Sequence, residues 1–269
     1  MTLEDTFNIV VQTRFGPAII NRHDRYVGQS LAMYGEFSPG ESAIFNQVVC
    51  AGDVVVEAGA NIGAHTVALS RLVGPQGQVY AFEPQRMVFQ TLCGNLALGQ
   101  CTNVVARQEG LGDAPARLLA PNPDPRQTNN FGGLSLSVQG DGDDVAVVTV
   151  DSLCLPRCAL LKVDVEGMEL AVVDGARDTI ARCRPVLYLE NDRAEKSAAL
   201  IERVLSLRYR AWWHTPPLFS PDNFNRNPVN QFGGIVSINI FCQPVESARP
   251  VADLIEIRDP ADTWQNHRP

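Results

Sequence analysis

Five acidic residues and two glycines carry most of the chemistry that the chain shows directly. Glu57, Gly59 and Gly63 lie in VVVEAGANIGAHTVAL, where a hydrophobic run passes through a glycine-containing turn into an amphipathic one. Such a turn brings backbone amides close to a nucleotide-like ligand. The spacing is ExGxxxG, not GxGxxG, and no Lys or Arg occurs between Asp53 and Ser70. A phosphate favours positive groups nearby, whereas an acid beside the turn suits a ligand carrying an ammonium. The pattern therefore points to S-adenosylmethionine over NAD or ATP. Glu83 follows Gly63 by 20 residues, at a strand end where an acid accepts hydrogen bonds from both ribose hydroxyls; otherwise it is a solvated acid capping the next helix. Past the third strand, Leu111 and Gly112 are placed against the adenine, with Asp113 as a polar contact.

Asp164 and Glu166 occur in LLKVDVEGMEL, and Glu190 and Asn191 close VLYLEN. Both segments end where ligands bind in open α/β sheets, at the carboxyl ends of strands. Asp164, Glu190 and Asn191 would converge there as oxygen ligands, a hard set suited to Mg²⁺, or bind substrate and steer a proton without a metal. His214, flanked by Trp212 and Trp213, is the histidine of a candidate acceptor loop. The tryptophans either stack on a sugar or apolar ring or pack in the core beside a surface histidine. His65 reads as a packed helix residue.

These residues need a scaffold of alternating elements, and the chain has one. DVVVEAG, QVYAFEP, NVVARQEGLG, CALLKVDVEG and RPVLYLEN read as strands, and AHTVALSRLV, QRMVFQTLCGNLAL and MELAVVDGARDTIARC as helices. Short apolar strands alternating with amphipathic helices imply βαβ units and a mostly parallel sheet covered on both faces. Upstream, FNIVVQT and AIINRH flank a Gly-Pro turn and predict a hairpin outside the main sheet. In FSPGESAIF, Ser38, Pro39 and Glu41 form a capping-box start for a helix to about Val49. Residues 121–144 are polar and rich in Pro and Gly, either a cover over the acceptor or an insertion. Residues 212–234 form a hairpin excursion, and the end of the chain is expected to be loosely held.

Composition narrows the partners. Of 269 residues, 45% are hydrophobic and 19% charged, as in a water-soluble globular chain, which excludes disorder, collagen and coiled coil as the main architecture. With 22 bases, 30 acids and a net charge of −8, the footprint of a nucleic-acid binder is missing. No apolar run is long enough to span a membrane, and the N-terminus lacks a signal-peptide pattern. A cytoplasmic protein with reduced, mostly buried thiols is expected, against a Cys154/Cys158 metal or redox pair. The N-terminal hairpin could offer an edge to a second copy, giving a homodimer.

Taken in order, EAGANIG, FEP, LLKVDVEGMEL and RPVLYLEN resemble the FkbM family of S-adenosylmethionine-dependent methyltransferases, with YGEFSPGE upstream and VSINIFCQP downstream extending the likeness over roughly residues 30–245. The resemblance implies the class I methyltransferase fold: a Rossmann-like, seven-stranded, mostly parallel sheet whose last strand is antiparallel, here with Tyr209 to His214 and Ile235 to Gln243 as the reversed pair. It implies domains at 1–52 (hairpin and helix cap), 53–243 (catalytic) and 244–269 (tail). It also implies donor contacts at Glu57, Gly59, Ala60, Asn61 and Gly63, ribose recognition by Glu83, active-site placement of Asp164 and Glu166, and a segment with Tyr34 and Glu36 folded across the donor. The acid pattern at the fourth and fifth strand ends is similar to the magnesium site of catechol-type and macrolide-sugar methyltransferases, with Glu190 where the catechol type has Asp.

The expected function is methyl transfer to a hydroxyl of a small-molecule acceptor such as a sugar or polyketide. Its rivals are a carboxylate or amine methyltransferase on a small molecule or peptide, a nicotinamide oxidoreductase, and a non-catalytic S-adenosylmethionine-binding module.

Overall fold

A computed structural model describes residues 6–247 and 249–267. Two strands, β1 (Asn8–Thr13) and β2 (Gly16–Asn21), form the expected hairpin as a separate sheet. Helices α1 (Val27–Tyr34) and α2 (Pro39–Val48) follow. The Ser38 start differs from a capping box: Ser38 adopts φ 40°, and its hydroxyl donates to Glu41 Oε1 at 2.9 Å without capping a backbone amide.

The alternating region then runs β3 (Val54–Ala58), α3 (Ala64–Val73), β4 (Gln78–Phe82), α4 (Arg86–Leu98), β5 (Val104–Arg107), β6 (Gly110–Leu111), β7 (Ala116–Ala120), β8 (Asp143–Val148) and β9 (Leu160–Val163). It continues through α5 (Glu169–Asp174), α6 (Arg177–Cys183), β10 (Val186–Glu190), α7 (Ala194–Ser206), β11 (Tyr209–His214), β12 (Asn239–Pro244) and β13 (Ile255–Ile257). The main sheet has the order β13-β11-β12-β10-β9-β3-β4-β5. Strands β5, β4, β3, β9 and β10 are mutually parallel, while β12 runs antiparallel to both β10 and β11. The chain works outward from β3 in one direction, then returns to β9 on its other side. That reversal leaves a crevice at the carboxyl ends of β3 and β9, where open sheets bind ligands.

Burial on both faces explains the continuous apolar strands. All five residues of β3 and all four of β9 are buried. Val56, Leu161, Leu187 and Trp213 pack on one face, and Val55, Leu160, Tyr188 and Trp212 with Phe45 on the other. The adjacent tryptophans thus point to opposite faces of β11 and are 4% and 3% exposed, so both are core residues and neither is free to stack on an acceptor.

Three expectations change. The third strand splits, with β5 in the main sheet and β6 joining β8 and β7 in a three-stranded sheet. The single helix expected after Met168 breaks into α5 and α6 around Gly175, where a Cβ would stand 1.9 Å from the Gly112 carbonyl oxygen. The C-terminal segment is held: β13 pairs with β11, and Trp213 Nε1 donates to Asp262 Oδ2 at 3.4 Å. The cysteines are all free, and only Cys158 and Cys242 are buried, fewer than expected. Among the described residues, no helix is long and apolar enough to cross a membrane.

Candidate active site

Gly59 ends β3 with φ +78°, and a Cβ there would lie 1.7 Å from the Asp164 carbonyl oxygen. Only glycine permits this approach of the β3 turn to the end of β9. The turn continues through Asn61 at φ 50° and Gly63 at φ +89° into the N-terminus of α3. Below it, Glu57 is fully buried, and its Oε2 accepts from the Thr66 hydroxyl at 2.7 Å. Burial pushes the Glu57 carboxyl above its usual range, opposed by the Lys162 ammonium.

Lys162, absent from the residues singled out in the sequence, occupies the centre of this arrangement. It is 2% exposed on β9, with Nζ 3.8 Å from Glu57 Oε1 and 3.3 Å from Asp164 Oδ2. Burial opposes its charge, but the carboxylates of Asp164, Glu57 and Glu41 outweigh that and hold its pKa above the ordinary lysine value. A lysine inside an apolar strand that precedes an acid by two residues, on the same strand face, was the available signal.

Two chambers open along the crevice and share Gly59, Asn61, Gly132, Asp164 and Glu166. The smaller holds about 60 Å³ and is lined by Glu83, Leu111, Leu134 and Leu136 among others. Both Glu83 carboxylate oxygens accept backbone N–H groups, from Asn61 at 3.0 Å and Gln85 at 2.9 Å. Burial nonetheless pushes this carboxyl up to about 7. The larger chamber, about 280 Å³, brings together Glu41, Glu57, Ala60, His65, Lys162, Asp164, Glu166, Glu190, Asp192 and Asn239. Burial, with Asp164 and Asp192 nearby, raises the Glu166 carboxyl to about 7 against the pull of Arg193, whose Nη2 donates to Glu166 Oε2 at 2.9 Å. Burial, reinforced by Asp164 and Glu166, drives Glu190 well above the carboxylate range.

Several expected residues lie elsewhere. Tyr34 is 1% exposed, and its hydroxyl is used by the 212–234 excursion, donating to the Val229 carbonyl and accepting from Gln231 N–H. Glu36 pairs with Arg14 at 2.6 Å and lines a different cavity beneath the hairpin. Asp113 is exposed and faces a third cavity beside α5 and α7, while Glu109 stands beside Leu111 in the small chamber. His214 lines neither chamber of the crevice; its Nδ1 is 2.8 Å from the Tyr188 hydroxyl, and His65 is the histidine in the large chamber.

Asn191 also turns away, into the cavity beside α5 and α7, so the expected Asp164, Glu190 and Asn191 ligand set does not converge. Oxygens of Asp164, Glu166 and Glu190 lie within 4.8 Å of one another instead. Two of these three acids already have a cationic neighbour, Lys162 or Arg193, and Glu190 favours its proton, so the set fits a divalent ion poorly.

The fit to S-adenosylmethionine is better: a backbone approach that only glycine allows, Glu57 buried just before the turn, and Glu83 accepting the Asn61 N–H of the turn from the end of β4. Strand order and crevice together are those of the class I methyltransferase fold. A family profile described as "Methyltransferase FkbM domain" matches residues 57–211. The chain belongs to the FkbM methyltransferase family.

Among similar proteins is "Methyltransferase 1" of Beauveria bassiana (strain ARSEF 2860), 32% identical over 146 residues, covering 46% of this chain and 58% of that protein. A 68-residue stretch, 23% of this chain, is 43% identical to the tRNA (adenine(58)-N(1))-methyltransferase catalytic subunit of Cryptococcus neoformans var. neoformans serotype D (strain JEC21 / ATCC MYA-565), covering 16% of that protein. The crystal structure of Methyltransferase FkbM from Methylobacillus flagellatus KT shares the fold at TM-score 0.50 and 20% identity, over 81% of this chain and 55% of that one. The chain therefore spans under two thirds of the length of each of these three proteins.

Proposed function

We propose that this chain transfers a methyl group from S-adenosylmethionine to a hydroxyl of a small-molecule acceptor. The observation that carries the reading is the large chamber: about 280 Å³, walled by Asp164, Glu166, Glu190 and Asp192, and continuous with the glycine turn and the Glu83 chamber. An enclosure of that size suits a compact acceptor, and its acids, with Glu190 holding its proton, can hydrogen-bond a hydroxyl. The local likeness to a tRNA methyltransferase lies within the donor-binding class and says nothing of this chamber's contents.

The donor supplies an electrophilic methyl carbon on a sulfonium. The chain's own groups hold the adenosine end between Glu83 and Leu111 and the charged end over Gly59, Ala60, Asn61 and Gly63. Glu57, shielded by Lys162 and Thr66, acts through the local field. Asp164, exposed at the junction of the chambers, and Glu166 and Glu190 face the acceptor. Alignment and exclusion of competing water contribute most of the rate in such a transfer. Gly132, Leu134 and Leu136 line the Glu83 chamber, so residues 121–144 also cover the donor end. In this reading the domains run 1–52, 53–243 and 244–269, with β1, β2, α1 and α2 capping the crevice and β13 bracing the sheet edge. No step here depends on a metal.

The test is calorimetry with S-adenosylhomocysteine, followed by S-adenosylhomocysteine release over a panel of sugars, polyols and phenols, with and without chelator. Donor-product binding with turnover of a hydroxyl acceptor is expected, and chelator is expected to leave the rate within about twofold. Turnover confined to carboxylic acids or amines would refute the hydroxyl assignment.

A further inference from the structure

We infer that His65 is the base that accepts the acceptor's hydroxyl proton and that Glu41 positions it; this rests on the hydroxyl reading above. Both residues line the large chamber, from α3 and α2 respectively. His65 is 5% exposed, wedged between Phe37 and Phe45, with ring centroids 5.6 and 5.4 Å away. Its Nε2 is buried and faces Glu41 Oε2 at 3.5 Å, so the other ring nitrogen is the one that can take a proton. A carboxylate against one imidazole nitrogen holds that nitrogen's proton and orients the ring, which leaves the second nitrogen as the base.

Glu41 is built to keep a charge there. It is 4% exposed, accepts from the Ser38 hydroxyl at 2.9 Å and from Asn239 Nδ2 at 3.4 Å, and burial of its carboxyl is outweighed by His65 and Lys162, which hold it at about 2. The polar chain goes on: Asn239 bonds the Tyr188 hydroxyl, which meets His214 Nδ1 at 2.8 Å. His214, the histidine of the candidate acceptor loop, thus stands at the far end of a chain whose near end is in the chamber.

The other chamber groups are poorer bases. Lys162 is held protonated, Asp164 is paired with it, Glu166 is paired with Arg193, and Glu190 favours its proton. In the proposed step the acceptor O–H bond breaks and its electron pair forms the new O–CH₃ bond. The C–S bond breaks with its pair going to sulfur, giving S-adenosylhomocysteine. The proton goes to the His65 imidazole, beside the Glu41 carboxylate, and then to water. The charged and titratable groups facing His65 are Glu41 from α2, Glu57 from β3 and Lys162 from β9.

The experiment compares the wild type with His65→Asn, Glu41→Gln and Glu41→Asp in single turnovers, using the hydroxyl panel and 4-nitrothiophenol, a thiol already ionised at pH 7.5 that needs no base. Calorimetry with S-adenosylhomocysteine verifies that each variant keeps a folded donor site. His65→Asn is expected to lower hydroxyl transfer at least about 100-fold relative to thiolate transfer. Glu41→Gln is expected to lower it roughly tenfold, with Glu41→Asp restoring part of the rate. Hydroxyl transfer by His65→Asn within threefold of wild type overturns the role, as does an equal loss with both acceptor types. Wild-type protein that methylates the thiolate and no hydroxyl overturns the hydroxyl reading and this role with it, a result distinct from hydroxyl transfer that ignores His65.

Discussion

Replacing Lys162 with methionine removes the ammonium from between Glu57 and Asp164 while nearly conserving the volume buried in β9. At 3.8 Å from Glu57 Oε1, and with an effective dielectric of about 20, the lost attraction is roughly 4 kcal/mol. The contact with Asp164 counts for less, because that side chain is 40% exposed and solvent screens it. Methionine also avoids the cost of desolvating an ammonium, but Glu57 is then a buried carboxylate without a counter-ion. Breaking a buried pair from one side typically costs about 3–5 kcal/mol, and that is the expected loss in urea unfolding at pH 8. Glu57 can escape by taking a proton, so the penalty should shrink as pH falls toward 5, where the unfolded chain begins to take that proton too. Adding Glu57→Gln to Lys162→Met should recover about 2 kcal/mol or more, measured as a double-mutant cycle. A loss below about 1 kcal/mol, or one equal at pH 5 and pH 8, would refute the view that Lys162 holds the site's charges together.

Two further outcomes follow from Glu83 and Gly59. The Glu83 carboxyl, at about 7 in the folded protein against 4.5 for a free glutamate, loses its proton later than in the unfolded chain. Its contribution to ligand-free stability should therefore fall by roughly 3 kcal/mol as pH rises from 4.5 to 7 and then level off. Over the same range S-adenosylhomocysteine affinity should rise as the carboxylate forms, and Glu83→Gln should flatten both calorimetric profiles; parallel slopes in variant and wild type would count against the ribose assignment. Gly59→Ala must force a methyl group into the Asp164 carbonyl at positive φ. It should cost about 2–4 kcal/mol in stability and abolish donor-product binding, and a variant that binds normally would show the turn to be looser than drawn.

Much of the fold was legible because its signals are local. The β3, β4, β9 and β10 segments are mostly apolar and mostly buried, so composition and length reveal them. Gly59 and Glu83 were legible as crevice residues because their spacing sets them at the carboxyl ends of β3 and β4. Lys162 was not, since a lysine inside a strand reads as a surface residue until its carboxylate partners, 105 positions upstream at Glu57 and two downstream at Asp164, are brought together. Tyr34, Glu36, Asp113 and Asn191 failed for the opposite reason. Each lies in the expected segment, but side-chain direction at the end of an element depends on what packs beside it. The excursion captures the Tyr34 hydroxyl, and a turn of the backbone after Glu190 directs Asn191 to the other side of the sheet end. The choice between His65 and His214 turned on the same point, as β11 places its histidine under the sheet face and α3 places its own at the crevice.

The pairing of β13 with β11 also bears on how the molecule avoids its neighbours. Without those three residues, β11 would present the backbone of Tyr209–His214 as a free edge along a hydrophobic strand. Such an edge recruits other strands, from a second copy or from partly folded chains. With β13 in place the exposed border is three residues long and carries Glu256, which two arginines, Arg210 and Arg258, hold in charged pairs. A short, charged border is a poorer template for further pairing than a free hydrophobic strand, which gives the C-terminal segment a use beyond packing.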